Sequence, residues 1–410
     1  MPNTFRLSET FAICLLFFSI FVSKAGIYTS LAILLCLQVY LVWTKRDMLK
    51  SIFKHKAALT CLLLFCIGIG SALSSLNSQH DAFLYFRKGA IFLLLPLLLV
   101  QVRRNCTYAY NALLISLLVA IFYSAMKLSD TSVGVWNGER IDSFWDLGRW
   151  GEMLGYMIAV LVPLLFDDSQ TKRTFYRNLG ILIACILFLL LSGGRGPLIA
   201  VLLSTSLYLV YKKPKAFFVI AIISALTLSL GKGIPQVKVV SERISSITEL
   251  SHDPSNSARI EMWKQGANFT YQNASIAPQQ FLFGAGLSSF ELSYTRYLKQ
   301  NVDLEVIIKN TENQFSFNDL HNTYLDLAAK LGVVYAAIYL VLLAMVLRYF
   351  VRLCRNEETP WAYSGLCLTL TYFVNSMFYT SGLEYQTTVF FAMLVLCLSQ
   401  HSLYINQRIN

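Results

Sequence analysis

The sequence predicts an all-α polytopic membrane protein of about 12 transmembrane helices with one large loop on the outer side. Three observations predict it: composition, recurring apolar runs, and the sidedness of Lys and Arg. Of 410 residues, 56% are hydrophobic and 14% charged, and the mean hydropathy is +0.54. Globular chains carry about 25% charged residues, because a limited core must be wrapped in wetted surface. So little polar surface excludes soluble enzymes, nucleic-acid modules and fibrous repeats. The formal charge of +11 has to be read from where Lys and Arg fall, and they fall mostly between apolar runs on one side.

A helix crossing about 30 Å of hydrocarbon needs about 17 to 25 mainly apolar residues. Candidate runs are Glu9 to Val22, Gly26 to Trp43, Ala57 to Leu73, Leu84 to Val100, Tyr108 to Met126 and Gly151 to Phe166. Then come Leu179 to Leu191, Leu198 to Tyr211, Ala216 to Leu230, Leu331 to Phe350, Ala362 to Tyr379 and Thr387 to Leu398. Only Arg6 precedes the first run, and Val22 to Ala25 matches a signal-peptidase site loosely. Similar runs follow at once, so the first is read as a retained span. With the N-terminus inside, the inner loops hold eighteen Lys and Arg. The short outer loops hold seven: Lys24, Arg87, Lys88, Lys127, Arg140, Arg149 and Arg195. Positive charge gathers on the cytoplasmic side, so both termini are expected there, and the net charge is largely a topology signal.

The expected organisation is residues 1–230 with nine spans, residues 231–320 as a large, partly helical outer loop, and residues 321–410 with three more spans. The loop carries eight basic and nine acidic residues, so it is a near-neutral solvated element. Its ninety residues far exceed a normal connector, and such length signals function or structure of its own. Val237 to Leu250 places Val240, Ile244 and Ile247 at helical spacing. Ser257 to Phe269 follows an Asp253-Pro254-Ser255 turn and sets Ile260 and Trp263 on one stripe.

Nine cysteines lie in or beside apolar runs with no CxxC pair, the usage of a small core residue rather than of a disulfide or zinc site. No HExxH, DxD or outer carboxylate cluster supports a metal. Phe283-Gly284-Ala285-Gly286 is a Gly-x-Gly turn with no strand before it, and so no nucleotide fingerprint. Trp136, Trp145 and Trp150 read as an interfacial belt. Asp326 and Lys330, four apart, read as a structural pair.

Polar groups held near lipid are costly, and those of interest lie on the outer face. Leu191-Ser192-Gly193-Gly194-Arg195-Gly196-Pro197 is a tight hairpin that exposes main-chain N–H groups beside one guanidinium. Such a turn can seat an anion, and it equally suits an arginine reaching for lipid headgroups. Arg259 and Glu261 sit on the Ser257 helix, where a solvated face is the plainer reading. Asn318-Asp319-Leu320-His321-Asn322-Thr323 marks the re-entry into the membrane. Asp319, Asn322 or Thr323 can each cap the next helix, leaving His321 either in its first turn or just before it. Of five histidines, His55, His80, His252 and His401 occupy connectors or ends, and only His321 stands at a membrane entry among polar neighbours. A cationic outer site with one imidazole suits a substrate whose leaving group is anionic.

Arg195 in a Gly-rich hairpin, Arg259 in an R-x-E-x-W helix, and H-N-T-Y-L at His321 leading to Leu331-Gly332 together resemble the O-antigen ligase/polymerase superfamily. The long outer loop between the ninth and tenth spans fits too, so the resemblance covers nearly the whole chain. One departure is Gly194, where the family commonly has Ser; Ser192 lies two positions earlier. The resemblance implies a lipid-linked-sugar glycosyltransferase (GT-C-like) fold in the bacterial inner membrane with its active site facing the periplasm. It implies transfer of O-antigen from undecaprenyl diphosphate to the lipid A-core oligosaccharide, inverting, with no cofactor, metal or nucleotide. Its partners are then the lipid-linked glycan, the lipid A-core and membrane lipids, and no nucleic acid.

His321 is then the expected general base, and Arg195 and Arg259 hold the diphosphate and stabilise the leaving group. Arg140, Arg149 and Lys88 are expected substrate-binding members of the same basic surface. A polymerase or a protein O-oligosaccharyltransferase of the same superfamily shares the donor and differs in acceptor. A transporter or flippase needs charged or broken helices in matching positions of two halves, whereas here the polar groups gather at one surface.

Overall fold

The computed structural model describes residues 3–44, 54–131, 138–230 and 254–409, together with Ile52, Lys238 and Ser241. Apart from Lys238 and Ser241, the expected Val237 to Leu250 helix lies outside the described residues, as do Trp136 and His252. The described chain is helical, with no strand among the described residues. In order the helices are α1 (Asn3–Val22), α2 (Lys24–Thr44), α3 (Lys56–Leu73), α4 (Ser78–Thr131), α5 (Leu147–Leu165), α6 (Lys172–Ser192), α7 (Arg195–Lys212) and α8 (Pro214–Leu230). There follow α9 (Pro254–Ile276), α10 (Pro278–Phe283), α11 (Phe290–Asn301), α12 (Leu304–Asn310), α13 (Thr323–Asn356), α14 (Pro360–Asn375) and α15 (Tyr385–Ile409).

Seven described helices are long and apolar enough to cross a membrane: α1 to α4, α6, α13 and α15. Together with the broad apolar exposure on α6 to α8, for example Leu187, Leu202 and Ile222, they make a multi-pass membrane protein. In α4 the sequence expectation of two spans joined by a polar connector changes. The helix runs through that connector and breaks only at Asn105 (φ −119°, ψ 18°). A straight helix of 54 residues would be about 80 Å long. Yet Lys88 near its start bonds Glu384, Lys127 near its end bonds Asp142, and Arg149 links this neighbourhood back to Glu384. Both ends therefore reach the same face, and the chain reverses at Asn105. The Asn105 amide is held by the Gln101 carbonyl at 3.0 Å and by the Thr10 hydroxyl at 2.8 Å.

Helix α5 is the hub. Every residue from Trp150 to Leu164 is buried, the pattern of a helix wrapped on all sides; α6, α7 and α14 pack around it. This corrects the reading of the tryptophans. Trp145 and Trp150 are core residues, 1% and 0% exposed, and the Trp145 indole donates to the Ile20 carbonyl at 3.0 Å.

Above the bundle, α9, α11 and α12 enclose a second apolar cluster that includes Met262, Phe269, Phe290, Tyr294, Leu298 and Leu320 and closes on Ala329 of α13. The inward stripe of α9 is Ala258, Met262, Gly266, Phe269 and Asn273. Ile260, expected on one stripe with Trp263, is 46% exposed. This layer is joined to the bundle through main chain. Gly332 (φ 88°) breaks α13, and the turn after α10 fills the gap. Ala285 N–H donates to the Ala329 carbonyl at 2.9 Å, Gly286 N–H to Lys330 at 3.0 Å, and the Ser71 hydroxyl to Leu331 at 2.9 Å. A Cβ on Gly284 would stand 2.2 Å from the Lys330 oxygen, and one on Gly332 would stand 2.1 Å from the Leu282 oxygen. The Gly-x-Gly turn is a packing joint. Asp326 and Lys330 form the expected pair at 2.8 Å on the same stretch.

Candidate active site

The Arg195 hairpin is set by its glycines and one serine. Gly193 closes α6 in the left-handed conformation (φ 67°), and Gly194 precedes α7. Buried Ser192 donates to the Leu189 carbonyl at 2.8 Å and accepts the Gly194 N–H at 3.3 Å, so this serine pins the turn from two positions before Gly194. Ile141 N–H donates to the Leu191 carbonyl at 3.1 Å, which docks residues 138–146 against the hairpin and brings Arg140 alongside.

Asn322 caps α13, accepting the N–H groups of Tyr324 and Leu325 at 3.0 and 3.1 Å. His321 therefore lies just outside the helix. It holds φ at +45°, a costly conformation for a side chain with a Cβ, because its main chain is gripped from both ends. Its N–H donates to Asp319 Oδ1 at 2.6 Å, and its carbonyl accepts the Trp263 indole N–H at 3.2 Å. The His321 Nδ1 atom is buried without a hydrogen-bond partner. Burial lowers the imidazole pKa; Asp319 opposes that, and the Arg259 cation adds to it. Arg259 and His321 thus share one neighbourhood.

Sequence reasoning missed what lies between them. The run Ala362 to Tyr379 does not stay helical: α14 stops at Asn375, and Tyr379 sits in the turn before α15. Its ring faces the Arg259 guanidinium at 5.7 Å. A Cβ on Gly196 would lie 2.6 Å from that ring, so the ring rests on the α7 N-terminus. Burial and the Glu152 carboxyl raise the Tyr379 pKa, while Arg259, Arg140 and Arg195 pull it down. Three of the expected arginines thus act on one phenol, Arg259 against its ring and Arg140 and Arg195 through their charge. The turn is tied to the histidine segment: the Thr323 hydroxyl donates to the Tyr379 carbonyl at 2.7 Å, and the Thr380 hydroxyl donates to Asp319.

Lys88 and Arg149 go elsewhere. Both meet Glu384, at 2.5 and 3.7 Å, and Arg149 also pairs with Asp146 at 2.5 Å. Their charge is neutralised beside the three-arginine cluster. Glu261 likewise serves its own helix, through Gln265 at 2.7 Å and Lys264 at 3.7 Å. Among the described residues no group of three His, Cys, Asp or Glu side chains gathers as a metal cage.

Residues 180–340 match the family model described as O-antigen ligase. Over that stretch the chain is similar to the O-antigen ligase superfamily. No curated protein matches it. Members of this superfamily are glycosyltransferase-like enzymes of lipopolysaccharide synthesis. Arg195, Arg259 and His321 fall inside the matched stretch, whereas Arg140 and Tyr379 reach the site from outside it. A sequence signal for Tyr379 exists in Thr380-Ser381-Gly382, turn residues that end an otherwise apolar run.

Proposed function

We propose that this protein is a ligase that transfers O-antigen polysaccharide from undecaprenyl diphosphate to the lipid A-core oligosaccharide, with inversion and without a metal. It does so as a twelve-span, GT-C-like inner-membrane protein with both termini cytoplasmic and the outer layer, residues 231–320, in the periplasm. The observation that carries this reading is the Tyr379 ring set against Arg259 at 5.7 Å and on Gly196, next to Arg195, where the charges of Arg140 and Arg195 also act and Arg259 acts on His321 as well.

A neutral imidazole takes the proton from the acceptor hydroxyl as its oxygen attacks the anomeric carbon. The bond from that carbon to the diphosphate breaks, and undecaprenyl diphosphate leaves with the electron pair. Negative charge grows on the departing oxygens, and guanidinium groups held ready in a water-poor site stabilise it. Tyr379 places its phenol among them as a further hydrogen-bond donor to the diphosphate. The lipid diphosphate is already an activated leaving group, so the transfer needs no nucleotide.

The test is transfer by the purified protein in detergent, with lipid-linked O-antigen as donor and three acceptors offered separately: lipid A-core, a second lipid-linked chain, and a secreted protein. Product on lipid A-core alone, unchanged by EDTA, is expected. Product on the second chain makes the protein a polymerase, product on the protein makes it an O-oligosaccharyltransferase, and loss with EDTA removes metal independence.

A further inference from the structure

The turn formed by residues 376–384 is the crossing point of the site. It carries Tyr379 among the arginines, Thr380 on Asp319 and Glu384 on Lys88 and Arg149. Its ends are held from below by one side chain. Glu152 of α5 is 1% exposed. Its Oε2 accepts from Asn375 Nδ2 at 2.5 Å and from the Ser381 hydroxyl at 3.0 Å, and its Oε1 accepts from Gln386 Nε2 at 3.1 Å. Asn375 is the last residue of α14, Ser381 lies in the turn, and Gln386 is the second residue of α15.

We infer that Glu152 is a positioning residue whose single carboxylate clips both ends of this turn and so sets where Tyr379 stands among Arg140, Arg195 and Arg259. The inference rests on reading the site as a glycosyl-transfer centre. An ionisable group this deep in the bundle is costly to desolvate unless donors surround it. Here they do, and they come from each segment that must be held still. Ser381 passes the hold onward. Its N–H donates to the Thr323 hydroxyl oxygen at 2.8 Å, and that hydroxyl donates to the Tyr379 carbonyl at 2.7 Å. An amide of the same size replaces the carboxylate only in part: its one oxygen cannot serve three donors, and its NH2 faces one of them unless the Asn375 or Gln386 amide turns its oxygen inward.

The test uses the full chain in detergent, with Glu152→Gln alone and combined with Asn375→Asp, which restores a donor–acceptor pair with the charge moved across. Hydrogen exchange is followed peptide by peptide beside the transfer assay. For Glu152→Gln the amides of residues 376–384 and of Thr323 are expected to exchange about tenfold faster, with residues 290–310 unchanged, as for a locally released turn. The kcat is expected to fall about a hundredfold, as for a misplacement near 1 Å, with the donor KM within about threefold of wild type. The double variant is expected to regain protection and at least a tenth of the lost rate. Unchanged exchange in the turn, faster exchange throughout the chain, or no recovery in the double variant each overturns the inference. If wild-type protein transfers no glycan at all, the proposed function fails, and the exchange result still decides whether Glu152 holds the turn.

Discussion

Trp263 of α9 donates its indole N–H to the main-chain carbonyl of His321 at 3.2 Å, joining residues 58 apart in the chain. The bond holds a residue at φ +45°, a conformation that costs on the order of 1 to 3 kcal/mol and persists only when its surroundings impose it. Trp263→Phe keeps a ring against Phe378, now 6.2 Å away, and deletes the donor. One hydrogen bond of about 1 to 1.5 kcal/mol corresponds to about a tenfold fall in kcat. Steady-state kinetics with the lipid-linked donor checks this, and an unaltered kcat counts against a held His321.

The pH profile follows from the charges around His321. Burial, together with Arg259 and against Asp319, keeps its pKa below the ordinary value of 6.5. Only the neutral ring can take a proton. kcat/KM is therefore expected to be flat through neutrality and to fall only as pH drops below 6.5 towards the lowered value. Arg259→Gln removes a repelling cation and should shift the acid limb up; Asp319→Asn removes an attracting carboxylate and should shift it down. Shifts of the opposite sign argue against His321 as the base.

Gly196→Ala tests the seat of Tyr379. The new methyl would stand 2.6 Å from the ring, so the phenol must move while the helix below is unaffected. The expected outcome is about a hundredfold loss of kcat, again the scale of a 1 Å displacement, with thermal unfolding in detergent within about 2 °C of wild type, since the change reaches only the half-buried Tyr379 and Phe378 of one turn. Retention of activity would show that the position of the ring is immaterial.

The joint between the layers predicts a contrast among glycines. Gly332→Ala and Gly284→Ala each combine a positive φ with a Cβ closer than 2.5 Å to main-chain oxygen. Folded yield is expected to collapse, because neither strain nor overlap can relax without parting the joint. Gly70→Ala and Gly180→Ala, with open space at the Cβ, should fold and work as wild type. Size-exclusion profiles of the four variants decide it.

The basic surface divides in two. Arg195→Ala is expected to cost about 3 to 4 kcal/mol, a hundred- to thousandfold in rate, as for loss of one preorganised charge donor. Lys88→Met breaks a pair with Glu384 at 2.5 Å that is partly open to solvent; such pairs contribute about 0 to 1 kcal/mol, so its rate should change by less than about fivefold. Equal effects of the two would merge the clusters.

The helical bundle was legible because crossing hydrocarbon imposes a length and an apolarity that show locally, and the Arg195, Arg259 and His321 segments stood out as polar groups at the edge of apolar runs. What escaped depends on partners distant in sequence. Glu384 neutralises Lys88 from 296 residues away, so nothing near Lys88 marks it as paired, whereas Arg149 has one partner, Asp146, only three residues off. Trp145 and Trp150 carry the composition of an interface and are buried because residues 138–146 fold back on α1 and α4. Tyr379 closes an apolar run, and hydropathy does not tell where within such a run the helix stops. Asn105 looked like part of a polar connector, yet its amide is satisfied inside the bundle, and so the chain turns there without a loop.

The break at Gly332 leaves three consecutive carbonyls of α13 whose bonds are completed by the α10 turn and by Ser71. Lifting the outer layer as a hinged cover would orphan the Ala329 and Lys330 carbonyls at once, in a buried place where an unmet main-chain group is costly. The roof and the pillar beneath it therefore travel together.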